Sequence, residues 1–544
     1  MLNKQKRGWF KSAVLYQIYP KSFQDTNGDG IGDLRGVISR LDYLAALGID
    51  GIWLSPVFES PQYDNGYDIS DYRRIDPMFG DVAVMEELIA EAKKRGISII
   101  LDLVLNHSSS FHPWFLEAKK SRDNPYHDYY VWRDGTPDSP PNDMRAVFGG
   151  SAWEYVPELG QYYFHQFVPE QPDLNWENPA VRRELYDMIR FWVDKGVEGF
   201  RLDVIDQIAK EPDNFITASG PRLHEFLREL SREAFCEEGL VTVGEAWSAN
   251  VERARLFSAP DGSELSMVFQ FEHIVLGFDG DKWHAVRPDL VKFKEVMERW
   301  QQGLCGCGWN SLFLENHDLP RIVSVWGDEG AHRVASAKML GIMLHGMQGT
   351  PYIYQGQELG MTNYPFTDVS EFRDIESINA CHEWVDTGRA TYEAFWPCLV
   401  FKSRDNSRTP MQWDDSANAG FTTGTPWINV NPNYTYINAK QQMGDPNSVF
   451  SYYKKLLALR KQYDIITYGR YQLIMEDDPQ VYAYTRTLNN ERLLIVCNYS
   501  NDDAAFTLPE EFEGAKCLIQ NMDRAAITGS MQLKPYECFV LYHK

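Results

Sequence analysis

The chain of 544 residues lacks any run of about 18 apolar residues, the length that an α-helix needs to cross a bilayer. Its first twenty residues include basic side chains but no apolar stretch and no small-residue cleavage site, so no secretory signal is predicted. The eight cysteines are scattered and form no Cys-x-x-Cys pair. They predict reduced thiols in a cytoplasmic protein, and a redox or metal pair at Cys305 and Cys307 is the less favoured alternative.

Basic charge is also in short supply, since 53 Lys and Arg face 77 Asp and Glu, a formal net charge of −24. Without a basic stripe, the sequence predicts no nucleic-acid partner and no binding to an anionic membrane. A strongly anionic substrate would need a local basic pocket against the overall field. The charge balance therefore favours a neutral or cationic small-molecule substrate.

Short apolar runs typical of strands alternate with amphipathic runs typical of helices. Near-continuous apolar runs indicate strands buried on both faces, and the repeated β-then-α order predicts a parallel sheet. Eight repeats predict an α/β fold built on a closed (β/α)8 TIM barrel, with the chemistry at the C-terminal ends of the strands. The predicted strands are Val14–Pro20, Ile52–Val57, Ile97–Asn106, Gly199–Ile205, Val241–Ala246, Met267–Glu272, Ser311–Glu315 and Tyr352–Gln355.

Two insertions and a change of pattern divide the chain. The segment after the third strand is too long for a plain loop, so residues 107–176 are predicted to form a small inserted domain. A second insertion spans about 360–427, and the helix Ser448–Arg460 is predicted to close the barrel. From about residue 468, apolar alternation around Asn489-Asn490 predicts a hairpin. The predicted domains are the barrel (1–106 and 177–467), the inserted domain (107–176) and a C-terminal all-β sandwich (468–544).

Three acidic residues end three of the predicted strands: Asp203 the fourth, Glu245 the fifth and Asp318 the seventh. Carboxylates that meet at one barrel mouth repel each other, so a structural role explains such a set poorly. Two carboxylates with different tasks are the arrangement of glycoside hydrolysis, and in a retaining enzyme they stand ~5–5.5 Å apart. The sequence therefore predicts a glycosidase-like site.

The neighbours of these acids assign them different tasks. Arg201 lies two residues before Asp203 on the same strand face and is expected to keep it ionised as a nucleophile, with a structural ion pair as the alternative. Glu245 lies beside Trp247, where burial and negative neighbours favour the protonated form of a general acid. Asp318 is expected to hold sugar hydroxyls and to stabilise positive charge on the ring.

Four short motifs around these residues, DLVLNH, GFRLDVID, GEAW and ENHD, resemble those of the α-amylase family of glycoside hydrolases. QPDLNW, at residues 171–176, is similar to a motif of its oligo-1,6-glucosidase branch, and the resemblance covers essentially the whole chain. It implies Asp203 as nucleophile, Glu245 as acid/base and Asp318 as transition-state stabiliser. Phe148 and Phe167 are expected to wall the cleft, with ordinary packing as the alternative. The resemblance further implies that the transferred sugar ring is bound by Asp64, Tyr67, His107, Arg201, His317 and Arg408.

The residue after the nucleophile bears on the bond that is cut. Val204 resembles the α-1,6-specific members of the branch, where a branched side chain narrows the space beside the leaving sugar, although Val is also common in buried strands. Longer runs such as RDNSRTPMQWD resemble the glucan 1,6-α-glucosidases, which release glucose from the non-reducing ends of isomalto-oligosaccharides and dextran. By looser matching, Lys282 and Glu376 contact the next sugar. Glu315 is a departure from this resemblance, because Asn is expected at its position in the glucan 1,6-α-glucosidases.

Other activities of the same family stay open. A trehalose-6-phosphate hydrolase shares Val after the nucleophile, but the sequence shows no obvious basic cluster near the mouth for its phosphate. A sucrose- or maltose-cleaving α-glucosidase and a sucrose isomerase keep the same carboxylates. Non-catalytic transporter partners lose the acids and carry a membrane span, unlike this chain. The expected partner is a small-molecule α-glucoside.

A separate motif predicts a structural Ca²⁺ far in sequence from the carboxylates. Oxygen-bearing side chains fall at positions 1, 3, 5 and 9 of the run from residue 25, with glycine at 6, which is the spacing of an EF-hand-type loop. Gly36 occupies position 12, where such a loop has a glutamate, and a plain Asx-turn loop is the alternative. Related oligo-1,6-glucosidases carry such a loop, and no organic cofactor is expected. The predicted ligands are Asp25, Asn27, Asp29, Asp33 and the carbonyl of Ile31.

Overall fold

The computed structural model covers residues 8–237 and 239–544, and its centre is a ring of parallel strands. The strands are β1 (Leu15–Ile18), β2 (Gly51–Leu54), β3 (Ser98–Val104), β4 (Gly199–Asp203), β5 (Val241–Glu245), β6 (Met267–Phe269), β7 (Ser311–Leu312) and β8 (Thr350–Tyr354). They pair in the order β6-β5-β4-β3-β2-β1-β8-β7, and a parallel bridge between Val268 and Asn310 closes the ring. The predicted (β/α)8 TIM barrel is confirmed.

Helices cover the outside of the ring, so every strand residue is buried. Side-chain caps fix where several of them begin: Asp81 accepts from the backbone N–H of Val84, and Asn178 from that of Ala180. The covering helices are Leu34–Ser39, Leu41–Leu47, Val82–Lys94, Pro179–Asp194, Leu223–Ala234, Val251–Phe257, Leu290–Gly303, Ile322–Val325, Arg333–His345 and Val449–Gln462.

All eight strands end one to three residues earlier than the sequence predicts, and three of them show why. β6 stops at Phe269 because a short helix, Glu272–Val275, follows it, and β7 spans only two residues. β4 ends at Asp203 because Val204 adopts a left-handed conformation, with φ 34° and ψ 44°, which no strand can continue. The early end of β4 turns the chain directly after the predicted nucleophile.

The segment between β3 and helix Pro179–Asp194 has a small core of its own and also packs on the core of the barrel. It contains the helix Pro113–Ala118 and a three-stranded antiparallel sheet of Trp132–Asp134, Gln161–Phe164 and Trp153–Val156, all within residues 107–176. Lys210 of the barrel donates to the Asp173 carboxylate and, at 2.6 Å, to Asn106 Oδ1, and all three side chains are buried. This contact ties the insertion to the barrel mouth.

A second group of elements packs over the same mouth. After β8 come the helices Ile375–Cys381, Tyr392–Lys402, Asp405–Arg408 and Ala439–Gly444. A hairpin of Phe278–Asp279 and Asp281–Ala285, which follows β6, joins them through an aromatic cluster. Trp283 of the hairpin packs there with Phe366, Phe372 and Phe395.

The C-terminal region is an antiparallel β domain, as predicted. Its strands are β9 (Arg470–Ile474), β10 (Val481–Leu488), β11 (Glu491–Asn498), β12 (Ala504–Thr507), β13 (Lys516–Gln520), β14 (Ser530–Leu533) and β15 (Cys538–His543), preceded by the helix Asp464–Tyr468. They form a sheet β9-β10-β11-β15-β13 and a pair β12-β14. The hairpin at Asn489-Asn490 is confirmed, since Leu488 pairs with Glu491.

No helix in the described ranges is both long and apolar enough to cross a bilayer. All eight cysteines are free, which agrees with the expected reduced thiols. The cytoplasmic location stays a prediction.

Candidate active site

A cavity of about 350 Å³ opens at the C-terminal ends of the strands, within the size range of small-molecule pockets. The inserted domain, the hairpin and the second insertion contribute to its wall. Of the predicted sugar-binding residues, Arg201, His317 and Arg408 lie behind the wall and contact the residues that form it. The cavity is lined by Asp64, Tyr67, His107, Val147, Phe148, Phe167, Asp203, Val204, Gln207, Glu245, Trp247, Phe278, Lys282, Trp283, Asp318, Leu319, Glu376, Lys402 and Arg404.

The guanidinium of Arg201 is the centre of one side of this cavity. Its Nη1 donates to Asp203 Oδ1 at 2.7 Å and to Asp102 Oδ1 at 2.9 Å, and its Nη2 donates to Glu245 Oε2 at 2.5 Å. β3, β4 and β5 are neighbours in the ring, so their ends bring these three acids together. The predicted nucleophile and the predicted acid/base therefore lie within the span of a single guanidinium, as a closely spaced catalytic pair requires.

Three buried carboxyl groups around one guanidinium change the expected protonation of Asp203. Burial raises the pKa of Asp203 well above its usual range, and the neighbouring charges of Glu245 and Asp102 raise it further against the opposing effect of Arg201. Burial also raises the pKa of Asp102 to about 6. Arg201 lowers the pKa of Asp203 as expected, but burial and the charges of Glu245 and Asp102 act against it. The ionised state of Asp203 stays a prediction.

The turn after β4 brings Val204 into the cavity and its backbone to Glu245. The Val204 N–H donates to Glu245 Oε2 at 3.1 Å. The side chain of Val204 packs in a small cluster with Phe148, Phe167 and Val168. A β-branched residue at positive φ is strained, and such strain persists where surrounding contacts fix it. Phe148 and Phe167 thus both line the cavity and pack against Val204.

Trp247 holds the other oxygen of Glu245. Its indole Nε1 donates to Glu245 Oε1 at 3.1 Å, and its ring stacks on Phe271 with centroids 3.8 Å apart. Trp247 is 43% exposed and lines the cavity. Glu245 is thus held on both oxygens at the edge of an aromatic surface.

The opposite side of the cavity is organised around Asp318. Its Oδ1 accepts from Arg408 Nη2 at 3.0 Å and from Arg404 Nη1 at 3.1 Å, and its Oδ2 lies 3.0 Å from His317 Nε2. Burial alone would raise the pKa of Asp318, but His317, Arg404 and Arg408 hold it well below its usual range. Tyr67 OH lies 2.6 Å from His317 Nε2. Asp318 therefore carries a fixed negative charge.

Sequence reasoning missed Arg404, which is the most connected side chain of this side. Its Nη2 donates to Asp374 Oδ1 at 2.6 Å and to Asp64 Oδ1 at 3.2 Å, and its guanidinium lies 4.9 Å from the ring centroid of Phe148. A signal existed, because Arg404 is four residues before Arg408 in the same RDNSR run and the two are one helical turn apart.

His107 and its neighbours form the wall beside the inserted domain. His107 Nε2 lies 3.2 Å from Gln171 Nε2 and 3.2 Å from the Tyr67 carbonyl. Burial lowers the pKa of His107 to about 4, so its imidazole is neutral at pH 7. Gln171 Nε2 also donates to Asp64 Oδ2 at 3.3 Å. The QPDLNW run thus reaches the predicted sugar-binding residues Asp64 and His107.

Two lysines line the outer part of the cavity, next to the hairpin. Lys282 forms an ion pair with Glu376, and the Lys402 amine lies 4.2 Å from the ring centroid of Phe278. Burial lowers the pKa of Lys402 to about 8. Burial also lowers the pKa of Lys282 to about 7, and the positive charges of Arg404 and Lys402 lower it further. The absence of a basic cluster near the mouth, inferred from the sequence, is therefore wrong, because the hairpin and second insertion bring distant lysines together.

Glu315 does not line the cavity. It is buried, and it accepts from Arg321 Nη1 at 3.2 Å and from the Ile322 N–H at 2.6 Å. Arg321 in turn donates to the Ser407 carbonyl at 3.2 Å, beside Arg408. The departure at this position is thus connected to Asp318 through Arg321 and the segment that carries Arg408.

The predicted calcium loop is folded by its own hydrogen bonds. Asp25 Oδ1 accepts from the N–H groups of Asn27 and Gly28 at 2.9 and 2.8 Å, and Asp33 caps the next helix by accepting from Gly36 N–H at 2.7 Å. Oxygen donors of this kind suit Ca²⁺. Within residues 8–237 and 239–544, no three His, Cys, Asp or Glu side chains are grouped closely enough to hold a metal. The site stays a prediction.

Comparison with known families and proteins finds matches over nearly the whole chain. Residues 17–469 match the family model described as alpha amylase, catalytic domain, and residues 481–540 match that of the alpha-amylase SusG C-terminal domain. The chain is 52% identical to an oligo-1,6-glucosidase of Parageobacillus thermoglucosidasius, covering 98% of this chain and 99% of that protein. It is 49% identical to a glucan 1,6-alpha-glucosidase of Streptococcus pneumoniae, covering 98% of each.

A solved structure is similar to the same extent. The crystal structure of Bacillus licheniformis trehalose-6-phosphate hydrolase matches with a TM-score of 0.93 at 49% identity, over 98% of this chain and 99% of that one. The names of these relatives differ in substrate at nearly equal identity, so identity alone does not select among them.

Proposed function

The chain belongs to the α-amylase family of glycoside hydrolases, and we propose that it is a retaining, exo-acting α-glucosidase that cleaves α-1,6 bonds. Its substrates would be isomalto-oligosaccharides and dextran, from whose non-reducing ends it releases glucose. The observation that carries this proposal is Val204, which lines the cavity directly after Asp203 and contacts Glu245 through its backbone.

The first step of the proposed reaction forms a covalent intermediate. Asp203 attacks the anomeric carbon as the bond to the leaving oxygen breaks, and Glu245 gives its proton to that oxygen. Arg201 contacts both acids, so it fixes their relative position during this step. Water then attacks the same carbon, Glu245 accepts the proton of that water, and Asp203 is released.

Asp318 and its two arginines have an electrostatic role in this proposal. The fixed negative charge of Asp318 stabilises the positive charge that builds on the sugar ring in the transition state. Arg404 joins Asp318 to Asp64, so both acids are pre-positioned before the sugar binds. A site held in this way requires little rearrangement during the reaction.

The exo action rests on the buried inner end of the cavity. Asp64, Tyr67 and His107 line it and are buried, and Gln171 and Arg404 connect them to the inserted domain and the second insertion. A chain end enters such a pocket, whereas the middle of a glucan chain needs an open cleft. The polar groups at this end suit the hydroxyls of a terminal glucose.

A substrate panel tests the proposal. With isomaltose, panose, maltose, sucrose and trehalose 6-phosphate, we expect the highest kcat/KM for isomaltose. Val204→Thr should lower the isomaltose-to-maltose ratio of kcat/KM by about tenfold, because it replaces a methyl group in the wall by a hydroxyl. Val275→Thr, at an exposed valine, is the control. A preference for maltose or sucrose would overturn the α-1,6 assignment.

A second candidate, trehalose-6-phosphate hydrolysis, is favoured by the two lysines. Lys282 and Lys402 are placed where a phosphate on the leaving sugar could accept charge-assisted hydrogen bonds. If this activity dominates, Lys402→Met should raise KM for trehalose 6-phosphate by at least about tenfold and leave KM for isomaltose within about twofold. A higher kcat/KM for isomaltose than for trehalose 6-phosphate excludes the candidate.

A further inference from the structure

Asp206 is a buried acid between the two catalytic loops that the proposed mechanism does not use. It is fully buried in the short turn after Val204. Its Oδ2 accepts from the N–H of Ser248 at 2.9 Å and from Ser248 Oγ at 2.5 Å. Its Oδ1 has no hydrogen-bond partner in the part of the chain that the structure describes. A buried carboxylate with one unpaired oxygen is costly, so a role beyond packing is indicated.

The contact between Asp206 and Ser248 joins the two segments that hold Glu245. Val204, two residues before Asp206, donates its N–H to Glu245 Oε2, and Trp247, next to Ser248, donates its indole N–H to Glu245 Oε1. A shift of either segment would change one of these two hydrogen bonds. Asp206 therefore acts on the geometry of Glu245 without touching it.

A third segment is fixed at the same point. The Ser219 N–H donates to the Asp206 carbonyl at 2.6 Å, and the hydroxyls of Ser219 and Ser248 are 2.6 Å apart. The Arg253 Nη1 donates to the Ser248 carbonyl at 2.7 Å, so the loop after β5 is held from both sides. Asp206 is the acidic member of this network, and Arg253 is its basic member.

Asp206 also interacts electrostatically with Glu245. Burial raises the pKa of Asp206 to about 6, and the charge of Glu245 contributes to this shift. Other charged groups lie close to Glu245. Arg201 and Asp203 come from β4, and Asp102 of β3 contacts Arg201.

We infer that Asp206 is a positioning residue for Glu245, because it ties the loop of Ser248 to the turn after Asp203. The inference rests on the proposed role of Glu245 as acid/base. Two substitutions weaken this tie in different ways. Asp206→Asn removes the charge, whereas Ser248→Ala removes the hydrogen bonds of the hydroxyl and leaves the charge.

The test measures kcat/KM with isomaltose and with an aryl α-glucoside, whose leaving group needs little protonation. For Asp206→Asn we expect about a tenfold loss with isomaltose and less than about threefold with the aryl glucoside. Ser248→Ala should also lower kcat/KM more for isomaltose than for the aryl glucoside, because it removes the hydroxyl contact to Asp206.

Two controls separate the outcomes. Asp187→Asn, at an exposed helix position, should leave both kcat/KM values unchanged. Equal losses on both substrates would show that Asp206 is only structural. If Asp206→Asn does not fold, Ser248→Ala replaces it in the test. A larger loss with isomaltose than with the aryl glucoside then supports the positioning role, and equal losses contradict it. Full isomaltose activity in Glu245→Gln would instead overturn the proposed function, independently of Asp206.

Discussion

The two sides of the cavity hold the same number of acids but different numbers of arginines. On one side, Asp102, Asp203 and Glu245 share the single guanidinium of Arg201. On the other, Asp64, Asp318 and Asp374 face the two guanidinium groups of Arg404 and Arg408. Burial and the charges of Glu245 and Asp102 raise the pKa of Asp203, whereas His317 and the two arginines lower that of Asp318. The number of nearby guanidinium groups thus contributes to the opposite pKa shifts of these two acids, although burial raises the pKa of Asp64 beside the same two arginines.

The largest expected effect tests whether the Arg201 side carries out the bond chemistry. Asp203→Asn should lower kcat on isomaltose about 10⁴-fold or more, because the amide cannot form the covalent intermediate. Asp318→Asn should cost about 10²–10³-fold, since it removes an electrostatic contribution only. Steady-state kinetics on purified variants measures both. A larger loss for Asp318→Asn than for Asp203→Asn would contradict the division of roles.

Removing Arg404 would leave one guanidinium on the Asp318 side of the cavity, as on the Arg201 side. Arg404→Met should lower kcat/KM on isomaltose about 10²-fold, since Asp64 and Asp318 lose a shared donor. The pKa of Asp318 should rise, so a new fall in activity should appear toward low pH. Arg35→Met, at an exposed ion pair, is the control. An unchanged acid limb would show that Arg408 and His317 suffice to hold the charge of Asp318.

Removing Asp102 would leave fewer acids for the single guanidinium on the Arg201 side of the cavity. A raised pKa of Asp203 places the acid limb of kcat/KM above the range of an exposed aspartate, about pH 3.9, because the nucleophile must be ionised and activity is lost as pH falls through its pKa. Asp102→Asn removes a negative neighbour, so this limb should move to lower pH even though the maximal rate falls. A limb that stays in place would assign the titration to another group.

The smallest effect is expected far from both sides, at the predicted calcium loop. If Ca²⁺ binds there, chelation should lower the thermal midpoint by about 2–4 °C without changing the substrate preference. Asp29→Asn should abolish the response to the chelator. An unchanged midpoint, together with no Ca²⁺ in the purified protein by elemental analysis, would favour the plain loop.

The barrel was predictable from the sequence because its strands are short, apolar and separated by clear helical patterns. The ends of those strands then placed Asp203, Glu245 and Asp318 at one mouth, and the structure places all three on the cavity wall. These predictions depend on local pattern and on the geometry of parallel strands. The rest depends on contacts between distant segments.

Lys402 was missed because the second insertion has no regular pattern that indicates where it packs. Arg404 was missed although it lies one helical turn before the predicted Arg408. Phe278, on the hairpin that meets this insertion, also had no signal in the sequence. The raised pKa of Asp203 could not be predicted from Arg201, because the burial of both and the approach of Asp102 appear only in the folded barrel. Long-range packing, rather than motif content, limits such predictions.

The buried contact of Lys210 with Asp173 and Asn106 has a consequence for protein engineering. Chimeric enzymes that exchange the inserted domain between relatives would separate Asp173 from its two barrel partners. Removing one partner of a buried ion pair costs about 3–5 kcal/mol, a large part of the stability of a domain. The unit to transplant is therefore not a continuous segment: it includes Asn106 and Lys210, which lie on either side of it in the chain.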